Sequence, residues 1–274
     1  MLKIHCIHSS ETYPFQLTDS FVSHGMALFE TIYIRNGELL FWKRHWDRLL
    51  KSAHFFKFDS VLCQSEDSVL SAIQKLYGEQ ASSSSILKLS LFQSNEHLHL
   101  FLYFRDKSDY RGPKNLCLNM DYPINEKALL AGHKTHNYFE NMWLLQEAQR
   151  NGFFDYLRVN RLQNIAETTI SNVFFKIKDQ FVTPSLASGV LPGVVRSVLL
   201  EMDQLYESII SIEDLNTVEA IYLGNSVQGI IPIDAVFNTK GERVFEQMDV
   251  AEEDSCLLCQ HLKVIEKVEA FKLN

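Results

Sequence analysis

The sequence predicts an α+β fold in two domains. Three observations carry this reading. Over the first half, short runs of alternating apolar and polar residues are joined by tight turns; stretches at helical spacing interrupt them; and the regular pattern breaks around residues 121–133 before it resumes. In order, Ile32, Tyr33 and Ile34 run into Asn36-Gly37 and then Leu39 to Trp42. Asn-Gly between two apolar runs marks a hairpin, because both residues tolerate positive φ. Trp46, Leu49, Leu50 and Ala53 follow at helical spacing, and residues 68–76 form a second short amphipathic helix. The run Ser82–Ser85 reads as a turn, since a strand over 86–92 begins directly after it and pairs with 97–104 across Gln93-Ser94-Asn95-Glu96. Strands joined this tightly make an antiparallel sheet, with the helices packed on one face.

A strand over 116–119 ends before Pro123, which interrupts regular structure. The expected division is therefore an N-terminal domain over 1–120, a linker over 121–133 and a C-terminal domain over 134–274. Within the second domain a helix over 137–150 stops at Asn151-Gly152, a pair suited to a left-handed cap. Strands are expected at 156–159, 173–177 and 181–183, then a helix from Pro192-Gly193 to about 206. Further strands at 208–212 and 220–223, a hairpin at Thr239-Lys240-Gly241 and a helix over 253–267 complete the chain. No internal repeat is present.

Composition narrows the function classes. The 274 residues are 46% hydrophobic and 22% charged, which is globular. Lys+Arg 26 against Asp+Glu 34 gives a net charge of −8, so no overall positive field favours nucleic acid or an anionic membrane. No apolar run of about 18 residues offers a transmembrane span, and MLKIHCIHSSETYPF lacks the apolar core of a signal peptide. Five scattered Cys suit reduced thiols, and the expected compartment is the cytoplasm. Cys256-x-x-Cys259 with His261 has half the spacing of a zinc site and no second pair, so no metal is expected. There is no GxSxG elbow, no phosphate loop of the GxxxxGK type and no GxGxxG.

Several segments could carry chemistry, each with an ordinary alternative. Leu191-Pro192-Gly193-Val194-Val195-Arg196 opens a helix whose unpaired N–H groups are an anion site, or simply a helix start. Leu223-Gly224-Asn225-Ser226-Val227-Gln228-Gly229 follows a strand and is a phosphate cradle or a common turn. Lys134 precedes a helix beside the proposed boundary, as a Schiff-base lysine or a solvated charge. Glu167 lies in a small, polar segment and needs a partner if buried: a protonated heteroaromatic nitrogen, a backbone N–H, or none at a surface. Arg48, one turn from His45, is a phosphate clamp or a surface arginine.

Taken in order, these segments resemble the class IV aminotransferase family, the fold-type IV pyridoxal phosphate enzymes. The resemblance runs from His24-Gly25-Met26-Ala27-Leu28-Phe29-Glu30-Thr31 through His45-x-x-Arg48-Leu49 and Lys134-x-x-Asn137-Tyr138. It continues through Ala166-Glu167-x-x-x-Ser171-Asn172-Val173-Phe174, Thr183-Pro184, Leu191-Pro192-Gly193-x-x-Arg196 and Asn225-Ser226-x-x-Gly229-Ile230-x-Pro232. It implies a small α+β domain, a larger α/β pseudo-barrel domain, pyridoxal 5'-phosphate at their interface, and a homodimer. Lys134 would bind the cofactor covalently and, once freed, carry the substrate's α-proton. Glu167 would pair with the pyridine nitrogen; Arg48, the N–H groups of Val194 and Val195, and Ser226 would hold the phosphate.

The chain departs from many relatives in carrying Gly25-Met26-Ala27 for Gly-Asp-Gly and Gly193-Val194-Val195-Arg196 for Gly-Ile-Thr-Arg. The strand over 86–92 also lacks the Arg-Gly stretch that follows it in many members. Residues 225–232 look most like the aminodeoxychorismate lyase form. The resemblance thus implies removal of pyruvate from 4-amino-4-deoxychorismate to leave 4-aminobenzoate, with a branched-chain or D-amino acid aminotransferase using 2-oxoglutarate as the alternative.

Overall fold

The computed structural model describes residues 2–7, 19–58, 62, 65–80, 84–94, 97–107, 110, 112–246 and 257–273. The chain forms two compact units: Met1–Asp109 with His133–Tyr138 and Glu266–Asn274, and Tyr110–Gly132 with Phe139–Ile265. Sequence reasoning divides the chain once, at 121–133, whereas the two units divide it four times.

The first unit contains β1 (Leu2–Cys6), α1 (Ser20–His24), β2 (Ala27–Arg35), β3 (Glu38–Leu40), α2 (Trp42–Phe55), α3 (Glu66–Gln80), β4 (Ser84–Ser94) and β5 (His97–Arg105). The strands form one sheet in the order β1-β5-β4-β2-β3. Asn36 (φ 53°) and Gly37 (φ 78°) make the expected tight turn between β2 and β3. One face of the sheet is apolar: Ile32, Ile34, Leu87, Leu89 and Leu91 pack against Trp46 and Leu49 of α2 and Val69 and Ile73 of α3. The other face follows from the period of two. In register across it stand Phe29, Ser90 and Phe101, and beside them Thr31 and Lys88.

The second unit contains β6 (Asn115–Ile124), α4 (Phe139–Arg150), β7 (Asp155–Asn160), β8 (Asn164–Ile165), β9 (Asn172–Ile177), β10 (Gln180–Pro184), α5 (Val194–Glu201), β11 (Tyr206–Ser208), β12 (Ile210–Ser211), β13 (Ala220–Asn225), β14 (Gly229–Pro232), β15 (Ala235–Phe237), β16 (Arg243–Glu246) and most of α6 (Leu257–Val268). Its strands form two sheets, β11-β10-β9-β13-β14 and β12-β8-β7-β6-β15-β16. The core joins the two, with Leu116, Leu157 and Val159 from one meeting Val173, Phe175, Ile221 and Leu223 from the other.

Several elements differ from the sequence expectation. Pro123 does not end its strand; it falls inside β6 where the register shifts between Asn119 and Ile124, a place that tolerates a missing donor. The helix expected from 137 begins at Phe139, because Asn137 turns its amide to the Gly25 carbonyl at 3.1 Å. The helix expected to reach 206 ends at Glu201; Asp203 takes a left-handed conformation (φ 55°) and Tyr206 opens a strand. The final helix begins at Leu257, with 253–256, Cys256 among them, outside the described residues, as Cys63 is. The last strand, β17 (Ala270–Lys272), joins β3 in the first unit. Among the described residues no helix is long and apolar enough to cross a membrane.

Candidate active site

In the first unit the even-numbered residues of β2 face the helices, so Glu30 projects into the same apolar layer as Leu28 and Ile32. A buried carboxylate there requires partners, and α2 supplies two from positions one turn apart. Arg48 donates through Nε to Glu30 Oε1 at 2.8 Å and through Nη2 to Oε2 at 2.6 Å. His45 Nδ1 lies 2.7 Å from Glu30 Oε2. Burial pushes the Glu30 carboxyl upward, but the Arg48 charge and hydrogen bond, with the His45 bond, outweigh it and hold it well below the usual range. Burial also lowers His45, so its imidazole is neutral and Nδ1–H is the donor.

Lys134 sits in a segment that runs beside β2. Phe29 N donates to the Lys134 carbonyl at 2.9 Å, His136 N donates to the Ala27 carbonyl at 2.8 Å, and Leu28 and Thr135 form an antiparallel bridge. The lysine is therefore fixed by strand-like pairing rather than by a helix start. Its Nζ stands 4.4 Å from the Phe29 ring centroid and 5.1 Å from that of Tyr138. A second amine shares the ring: Lys88 Nζ is 4.1 Å from the Phe29 centroid and donates to Thr31 Oγ1 at 2.7 Å. Burial first, and then the Lys134 charge, bring Lys88 down to about 7. Sequence reasoning passes over Lys88 and treats Glu30 only as part of a motif. The available signal for Lys88 was a lysine at an in-strand position of the alternating run 86–92. Gly25 (φ 65°) explains its own place in the pattern, since a Cβ there would lie 3.1 Å from Asn137 Oδ1.

The second unit gathers the remaining candidates. Glu167 Oε2 accepts from Leu191 N at 3.0 Å and from Asn172 Nδ2 at 3.0 Å, and the same amide donates to the Leu191 carbonyl at 3.0 Å. One carboxylate thus ties the 167–172 turn to the approach of α5. Gly193 caps α5 with no side-chain cap bond, and a Cβ on it would lie 2.0 Å from Asn172 Oδ1. Only glycine fits. Val194 and Val195 are the first helical residues, where N–H groups lack intrahelical acceptors and the helix dipole favours an anion. Ser226 lies in the turn between β13 and β14, which Asn225 organises. Its Nδ2 donates to Ser171 Oγ at 2.9 Å and to Gln228 Oε1 at 3.0 Å, while its Oδ1 accepts from Val227 N and Gln228 N, each at 2.9 Å. Within this unit Glu167, Val194, Val195 and Ser226 belong to connected segments; within the first unit, Lys134 and Arg48 both flank β2.

Arg196 turns away from this arrangement, donating to the Pro184 carbonyl at 3.0 Å and pairing with Glu207. Cys259 is buried, its thiol directed to the Ile230 carbonyl at 3.6 Å. Among the described residues no group of His, Cys, Asp and Glu is placed to hold a metal.

The amino-transferase class IV family model matches residues 27–236. The aminodeoxychorismate lyase of Vibrio harveyi is 22% identical over 80% of this chain and 86% of its own length. That of Bacillus subtilis is 30% identical over 49% of this chain and 46% of its own. The solved structure of a hypothetical aminotransferase from Mycobacterium tuberculosis, in its PLP-bound form, is 19% identical with a TM-score of 0.78 over 95% of each chain. The chain belongs to the class IV aminotransferase family and has the α+β two-domain fold of fold type IV. It is a pyridoxal phosphate-dependent enzyme. Each unit by itself holds groups of the kinds this cofactor takes: an amine and an anchored guanidinium in the first, an anchored carboxylate and a glycine-capped helix start in the second.

Proposed function

We propose that this enzyme is a lyase of the aminodeoxychorismate type, removing pyruvate from 4-amino-4-deoxychorismate to give 4-aminobenzoate, a folate precursor. The observation that carries the reading is the Asn225 turn. Its side chain makes four bonds at the place where the lyase pattern has Asn before a small residue. The curated relatives from Vibrio harveyi and Bacillus subtilis, both named as such lyases, add support.

In this reading Arg48, the N–H groups of Val194 and Val195, and the Ser226 hydroxyl hold the phosphate of the cofactor. Glu167 keeps a proton on its ring nitrogen. When bound, the cofactor supplies an electron sink for the carbon that carries the substrate's amino group. Lys134 Nζ would hold the cofactor covalently and, once free, would take the proton from that carbon. The neighbouring C–O bond then breaks, pyruvate leaves as its enol and gains a proton, and the ring becomes aromatic. The balance needs no second substrate or oxidant. The Arg48–Glu30 pair keeps the guanidinium oriented through this cycle. We place the enzyme in the cytoplasm as a homodimer, and sedimentation of the purified protein tests the oligomeric state.

Incubation with 4-amino-4-deoxychorismate is expected to yield 4-aminobenzoate and pyruvate in equal amounts. Absence of both, with amino transfer from a branched-chain or D-amino acid to 2-oxoglutarate, would replace this reading by the aminotransferase one.

A further inference from the structure

Asp155 opens β7 with its side chain buried, and no chemistry derived above uses it. Its Oδ1 accepts from Thr169 Oγ1 at 2.7 Å, from Tyr156 N at 2.7 Å and from Thr169 N at 3.3 Å. Oδ2 has no partner among the described residues. The charged side chains of the surrounding segments are engaged elsewhere. Arg158 of β7 pairs with Glu140 of α4, Glu167 bonds Leu191 and Asn172, and Asp234 accepts from Lys114 N at 2.9 Å. What Asp155 holds is the turn between Glu167 and Asn172. That turn closes on itself through Thr168 N to the Ser171 carbonyl at 2.9 Å and Ser171 N to Thr168 Oγ1 at 3.2 Å. From outside, Asn141 Nδ2 of α4 donates to the Thr169 carbonyl at 2.7 Å, and Asn225 reaches Ser171 Oγ.

We propose that Asp155 is a positioning residue for the cofactor's ring-nitrogen partner: through Thr169 it fixes the turn that presents Glu167 and Asn172. The proposal rests on the reading that Glu167 serves the cofactor. Asp155 itself touches no reacting atom. The pocket requires an acceptor at Oδ1 more than it requires a charge. Burial raises the carboxyl to about 6 despite the surrounding donors, and Oδ2 engages none of them. An amide in place of the carboxyl keeps the Oδ1 acceptor for the Tyr156 and Thr169 donors, whereas alanine leaves those donors buried and unpaired.

The test is the dissociation rate of pyridoxal phosphate from the holoenzyme, followed by loss of its visible absorbance after dilution into a scavenger. Asp155→Ala is expected to release the cofactor about tenfold faster, and Asp155→Asn to stay within about threefold of the native rate. Thr169→Val removes one hydroxyl without changing shape and keeps the test available where Asp155→Ala does not fold. It should also speed release, and its effect should not add to that of Asp155→Ala. A merely structural role would lower thermal stability and leave the release rate unchanged, or would leave Asp155→Asn as impaired as Asp155→Ala; either result overturns the proposal. Glu167→Gln in the same assay separates the two readings. If it holds the cofactor as the native enzyme does, the role of Glu167 fails. If it releases the cofactor faster while Asp155→Ala and Thr169→Val do not, only the positioning role fails.

Discussion

Arg48 grips Glu30 at both carboxylate oxygens, Nε to Oε1 at 2.8 Å and Nη2 to Oε2 at 2.6 Å, inside the apolar layer between β2 and α2. This two-point geometry fixes the plane of the guanidinium. It also explains why an acid occurs on the buried face of a strand otherwise lined by Leu28, Ile32 and Ile34.

Glu30→Gln would leave the Arg48 charge buried without its counter-charge, at a cost of about 3–5 kcal/mol. The native carboxyl is held low in the fold, so its stabilisation is present above the unfolded value near 4.5 and is lost as pH falls through the folded value. Urea unfolding should therefore show the deficit of the variant in full at pH 7, and the gap should narrow as the solution is acidified. A gap that persists unchanged at low pH would contradict the ion-pair account.

Gly193→Ala places a methyl group 2.0 Å from Asn172 Oδ1, so either the α5 start or the Asn172 amide must move. Since Asn172 also bonds Glu167 and the Leu191 carbonyl, the strain spreads to both. A loss of about 1–3 kcal/mol in stability is expected. Weaker cofactor retention should accompany it, read by equilibrium titration with pyridoxal phosphate. Native-like retention would show that the helix start does not serve the phosphate.

Lys134→Ala should abolish the visible absorbance of covalently held cofactor and reduce turnover by at least about a thousandfold. The fold should survive, because Lys134 contributes to its segment through backbone pairing with Phe29. Circular dichroism together with the absorption spectrum of the purified variant checks both halves. A retained, reducible visible band would place the covalent bond on another amine, and Lys88, on the same Phe29 ring, is the first to test.

How much of this is legible in the sequence depends on how local the determinant is. The Asn36-Gly37 turn and the β4–β5 pairing are legible because turn chemistry and a period of two are short-range properties. The α5 start is legible for the same reason, through Pro192-Gly193. The end of α5 is not: residues 202–206 carry no strong breaker, and the chain turns at Asp203 because β11 must pair with β10. Nor is the return of His133–Tyr138 to the first unit, which rests on pairing with β2 about a hundred residues earlier. Lys134, Glu167 and Arg48 stand out through the pattern they form together. Lys88 and Asp155 acquire meaning only when Thr31 and Phe29, or Thr169, are brought beside them.

Replacing the Lys88 amine is expected to gain stability where replacing the Glu30 carboxylate loses it. Burial holds it at about 7 in the fold, against about 10.5 in an unfolded chain. Between those values the unfolded chain binds a proton that the folded one lacks, so this group makes stability rise with pH from about 7 to about 10.5. At pH 6 the fold must carry the buried charge in full. Lys88→Met removes that burden while keeping the packing on Phe29, at the loss of one hydrogen bond to Thr31. The variant should gain on the native protein by on the order of a few kcal/mol at pH 6, and the gain should shrink as pH approaches 10. Urea unfolding at pH 6, 8 and 10 measures it. A gain that does not change with pH would mean that Lys88 is not desolvated, and that its place beside Lys134 is one of packing rather than charge.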